Sequence, residues 1–100
     1  MTVPQLRSRA DVATDAPARY AKQLVQHLGR KVDFRVDGNT STAEIAGATA
    51  QVVVGDGVLT LLAAGPEQEA VARVEHVLGS HLERFALTVT WTRTSEEDPR

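Results

Sequence analysis

Thr49-Ala50-Gln51-Val52-Val53-Val54-Gly55-Asp56-Gly57-Val58-Leu59-Thr60-Leu61-Leu62-Ala63 is the stretch that decides the fold. Ala50, Val52 and Val54 alternate with Thr49, Gln51 and Val53. Leu59, Leu61 and Ala63 alternate with Val58, Thr60 and Leu62. A period of two places alternate side chains on opposite faces of a strand. Gly55-Asp56-Gly57 between the runs supplies the backbone freedom of a tight turn, so the segment reads as an antiparallel hairpin.

Working outward, Ala43 and Ile45 alternate with Thr42 and Glu44 before Gly47 breaks the run. Val32, Phe34 and Val36 share one side, with Asp33 and Arg35 on the other, and Asp37-Gly38-Asn39 is turn chemistry. At the beginning of the chain, Ala10 and Val12 alternate with Asp11, which predicts a strand over 8–13. At the end, Leu87, Val89 and Trp91 alternate with Thr88, Thr90 and Thr92, which predicts a last strand there.

Two segments carry the other period. Ala21, Leu24, Val25 and Leu28 recur at the spacing of one helical face. Asp15 and Pro17 suit the start of that helix, and Gly29 with Arg30 and Lys31 suits its end. Ala70, Val71, Val74, Val77, Leu78, Leu82 and Phe85 form a longer stripe behind Gly65-Pro66-Glu67. Gly79 interrupts it and is a point where a bend is expected. The order is β-α-β-β-β-β-α-β. An α+β two-layer sandwich, an antiparallel sheet with both helices on one face, buries every stripe. Residues 8–93 form the single domain, 1–7 a loose arm and 94–100 a charged tail. The opposite sheet face would show Asp33, Arg35, Glu44, Thr49, Gln51, Thr60, Thr88 and Thr90, interrupted by Val53, Val58 and Leu62. It is either simply wet or a dimer or ligand surface.

Composition narrows the function classes. One hundred residues with 42% apolar and 24% charged side chains fit one small globular domain. There is no cysteine, which excludes disulfides, thiolate metal sites and cysteine catalysis. No stretch approaches the 18 apolar residues of a membrane span, and no signal peptide opens the chain, so the cytoplasm is the expected compartment. The net charge is −2 with only four aromatic residues, too sparse a footprint for nucleic-acid binding.

Thr14-Asp15-x-Pro17-Ala18-Arg19-Tyr20-x-Lys22-Gln23-Leu24-x-x-His27 and His81-Leu82-Glu83-Arg84-Phe85-Ala86, followed by Trp91, resemble domain-of-unknown-function family 2218, common in actinobacteria. The likeness covers about residues 8–93. The family has no established activity. The resemblance implies an association with flavin-binding siderophore-interacting proteins, and through them with iron handling. Members often carry a tryptophan after the first histidine, where this chain has Leu28.

The candidate ligand-binding residues are Arg19, Tyr20, Lys22, His27, His81 and Arg84. Each of His27 and His81 lies on the edge of a helical stripe, where an imidazole either bonds a nearby carbonyl or acts as acid, base or ligand. His76 sits among polar neighbours and is expected in solvent. If the helices run antiparallel, His27 and His81, both near helix C-terminal ends, fall at opposite ends of the layer. With no His-x-x-x-His spacing either, no metal site and no cofactor are expected. Arg19, Lys22, Arg30 and Lys31 form a basic flank, either solvated or an anion surface. Arg84 is expected to form a structural bridge, either with a neighbour of Glu83 or with a carboxylate on the sheet, in preference to binding substrate. Tyr20, Phe85 and Trp91 fit the core.

No nucleophile elbow, phosphate loop or nucleophile–base pair is present. A binding or accessory domain is therefore favoured, with a siderophore-interacting reductase or a small anionic ligand as partner. The alternatives are a small enzyme with a pocket around Tyr20, His27 and Arg84, and a homodimer formed through the open sheet face.

Overall fold

The structure is a computed structural model and describes residues 5–95 except residue 86. Its elements follow the expected order: β1 (Leu6–Ala13), α1 (Pro17–Leu28), β2 (Arg35–Asp37), β3 (Thr40–Ile45), β4 (Ala48–Val54), β5 (Val58–Gly65), α2 (Gln68–Glu83) and β6 (Thr92–Ser95). The six strands form one antiparallel sheet in the order β2-β3-β4-β5-β1-β6.

The hairpin of 49–63 sits near the middle of that sheet. Val54 pairs with Leu59 across the Gly55-Asp56-Gly57 turn, and the Gly55 amide donates to the Val58 carbonyl at 2.8 Å. Register places the alternating residues as the pattern requires. Ala10, Leu61 and Val52 share one cross-strand row, and Ser8, Ala63, Ala50 and Ala43 another, all buried. On the other side of the layer Val71, Val74, Leu78 and Leu82 of α2, with Ala21 and Leu24 of α1, close the core.

Five local expectations are corrected. The segment 87–91 is not a strand. Leu87, Val89 and Trp91 do pack on the core, but the ladder with β1 begins only at Thr92. Their alternation satisfied burial against α2 and carried no information about backbone pairing. The terminal strands also reach past 8–93, since Leu6 and Arg7 belong to β1 and Thr94 and Ser95 to β6; 1–4 and 96–100 of the expected arm and tail lie outside the described residues. β2 is only three residues long, and its Val36, on the edge strand, is 65% exposed in an open hollow that it shares with Val25 of α1. Phe85 is 45% exposed, past the end of α2. Asp15 does not cap α1; Ala16 is the N-cap, and its amide donates to Thr14 Oγ1 at 3.1 Å.

Gly79 does not bend α2, which runs unbroken from Gln68 to Glu83. Its role is close approach. A Cβ there would lie 3.3 Å from Trp91 Nε1 and 3.7 Å from Val89 Cγ1, so the missing side chain is the space through which 87–91 passes beneath the helix.

Candidate functional site

Two ring contacts define how the helices meet. The Tyr20 and Phe85 rings lie 5.6 Å apart, and the His27 and His81 rings 4.5 Å apart, edge to face at 75°. Position rises along α1 while it falls along α2, so the helices are antiparallel, as expected. The histidines nevertheless touch, and the expectation that they fall at opposite ends of the layer is wrong. The cause is stagger. α2 has sixteen residues against twelve in α1, and its last turns, with Phe85 beyond them, lie alongside α1. Tyr20 and His27 are about 10 Å apart along the α1 axis at 1.5 Å rise per residue, and His81 and Phe85 about 6 Å apart along theirs, so only the end of α2 lies alongside α1.

The touching histidines form one wall of a cavity of about 350 Å³ between the helices. α1 contributes Gln23, Leu24, Gln26 and His27, and Arg30 follows just past its end. α2 contributes His81, then Arg84 and Phe85. The placement follows from helical spacing. Gln23, His27 and Arg30 are four and three residues apart, and His81 precedes Arg84 by three residues and Phe85 by four, so His27 and His81 each have their cavity partners on their own side of the helix. Leu24 gives the cavity a buried floor and Phe85 an open apolar wall.

The electrostatics have one sign. The lining contains no Asp or Glu. Among the described residues neither Arg30 nor Arg84 makes an ion pair, so the structural bridge expected of Arg84 is not there. Each guanidinium lies at a helix C-terminus, where the dipole supplies about half a negative charge. Two such ends total about one negative charge against two full positive ones, so the pocket stays positive. His81 reports this field. Burial lowers its pKa first, and the positive charge of His27 and of Arg84 lowers it further, so it is neutral at pH 7.

Of the six residues singled out from sequence, His27, His81 and Arg84 converge on this cavity. Tyr20 stands beside it and braces Phe85 through their ring contact. Arg19 and Lys22 are exposed and are not brought to it. Arg30 belongs to the site, whereas the sequence placed it in a diffuse basic flank. Gln23 and Phe85 are additions, Phe85 having been assigned to the core. The missed signal was the repeated flank, a polar group and a basic group at i and i+3 or i+4 on both helices. No group of three or more His, Asp or Glu is gathered anywhere among the described residues.

A family model for uncharacterized proteins conserved in bacteria matches residues 9–92. The chain belongs to that family, DUF2218. The match spans both helices and therefore every residue of the cavity. Leu28, where the resemblance leads one to expect tryptophan, is half-buried against the core and does not line the cavity. Among solved structures, PA4090 from Pseudomonas aeruginosa, determined by NMR, is similar with a TM-score of 0.75 at 22% identity, over 87% of this chain and 95% of that one. That likeness shows the fold. No protein of curated function matches the chain.

Proposed function

We propose that this DUF2218 domain is a binding module for a small anion, seated between the converging ends of α1 and α2. The observation that carries the reading is the meeting of His27, His81, Arg30 and Arg84 around one cavity that contains no carboxylate. Guanidinium groups donate in a fixed fork that suits carboxylate and phosphate oxygens. Imidazole N–H groups add donors, and a bound anion offsets the charge of His27 and Arg84 that, after burial, lowers the His81 pKa.

The link to iron and siderophores implied by the family resemblance is a special case of this reading. Ferric chelates with carboxylate or catecholate arms are anionic and would be attracted to the same field. An enzyme built on the pocket is the second reading, and its support is a neutral imidazole in contact with another inside a cleft. The outer sheet face is a separate surface. Val53, Val58 and Leu62 are half-buried there, and a homodimer formed through it would double the mass in light scattering without altering the pocket.

The test is an NMR titration at low salt with phosphate, benzoate and a ferric siderophore. The imidazole signals of His27 and His81 should shift together and saturate. Arg84→Gln should weaken binding about tenfold or more, the loss typical of one charge-assisted hydrogen bond. Shifts scattered over the surface, or an unchanged affinity in Arg84→Gln, would refute the reading.

A further inference from the structure

Resting on the anion reading of the cavity, one atom narrows the ligand class. Gln23 Oε1 is buried and has no hydrogen-bond partner, the sole such side-chain atom among the described residues. Native structures rarely leave a buried carbonyl oxygen unpaired, and one that persists calls for a reason. Gln23 lies one helical turn before His27, on the same flank, and its side chain lines the cavity.

Most of the remaining polar lining donates; Gln26 also carries an amide oxygen, but it is exposed to solvent. Arg30 and Arg84 have no acceptor at all, and each imidazole carries at least one N–H donor. A simple anion would meet these donors and leave the Gln23 oxygen as it is. A ligand bearing an O–H beside its anionic group would satisfy both. The last torsion of a glutamine side chain is soft and broadly two-fold, so the amide can turn its oxygen towards such a donor at little cost. Leu24 and Phe85 supply an apolar wall for the ligand's body, and about 350 Å³ sits at the small end of the range for ligand pockets.

We infer that the cavity selects a small hydroxy acid, its carboxylate held by Arg84 and Arg30 and its hydroxyl donating to Gln23 Oε1. Arginine sets the affinity for the charge. Gln23 sets the preference for the hydroxyl.

Matched pairs test this: lactate against propionate, and mandelate against phenylacetate, each titrated by NMR into the wild-type domain. The hydroxy member should bind about three- to tenfold more tightly, the range of one neutral hydrogen bond. In Gln23→Met, close in shape but without the amide, that ratio should fall to about one. Equal affinities within each pair for the wild type would overturn the inference while leaving the anion site standing. So would a ratio that survives in Gln23→Met. Binding of neither member of either pair would overturn both. The wild-type ratio requires no variant, so the result does not depend on how well Gln23→Met folds.

Discussion

Glu75 holds two partners at once. Ser8 Oγ donates to Glu75 Oε2 at 2.5 Å, and Arg93 donates to both carboxylate oxygens, from Nε at 2.9 Å and Nη2 at 2.7 Å. Ser8 is buried on β1 and pairs in register with Arg93 on β6, so one carboxylate of α2 ties down two neighbouring strands. Asp11 makes a comparable set of contacts in solvent, accepting from Arg9 at 3.2 Å and from Thr60 Oγ1 at 2.8 Å. Burial separates the two cases. Glu75→Ala strands a buried hydroxyl and should cost about 1–3 kcal/mol in urea unfolding. Asp11→Ala should cost less than about 0.5 kcal/mol, because exposed pairs contribute little. Equal losses would show that burial of Ser8 is not what matters. At this scale the sequence was legible in identity and not in adjacency. His27, His81 and Arg84 stood out by chemistry, but nothing local distinguishes a histidine facing solvent from one facing another helix. Gln23 carried no signal of its own. Its role comes from what is missing around it, which only three dimensions reveal.

Element boundaries depended on which physical quantity the pattern reported. The hairpin of β4 and β5 was readable because alternation and turn chemistry agreed, and both describe the same pairing. Residues 87–91 alternate just as well, yet there the period records packing beneath α2 instead of ladder hydrogen bonds. The stagger of α1 against α2 was unreadable, since stripe length fixes how long a helix is and not where along its neighbour it begins. Gly79 shows the same limit. Helix propensity marks it as a weakness of up to about 1 kcal/mol relative to alanine. The structure makes it the clearance for Trp91. Gly79→Val should therefore destabilise the domain by about 1–3 kcal/mol through overpacking. Trp91 is the single tryptophan of the chain, so its emission should shift to the red as the ring is displaced. An unshifted spectrum with unchanged stability would mean that the close approach has no energetic weight.

Across the whole molecule, three groups bend the pH dependence of stability in one direction. His81 has its pKa lowered below the ordinary 6.5, by burial first and then by His27 and Arg84. The unfolded chain takes up that proton more readily, so stability should start to fall as pH drops below about 6.5. Glu75 is lowered chiefly by the Arg93 hydrogen bonds, against the opposing effect of its burial, and Asp11 chiefly by Thr60. Their contributions are present above the unfolded carboxylate range and are lost as pH falls through the folded values, a second decline below about 4.5. Thermal unfolding from pH 8 to pH 3 should show both limbs, and His81→Asn should lack the upper one. Stability rising between pH 7 and 5.5 would contradict this sign. The sheet order has a further consequence at this scale. β1 lies between β5 and β6, and Leu6 pairs directly with Ser95, so the chain enters and leaves the domain at one corner. Seen from a larger protein, the domain is a plug-in cassette. It can be spliced into a surface loop of a host without prising the host's strands apart, and the cleft between its helices would travel with it intact.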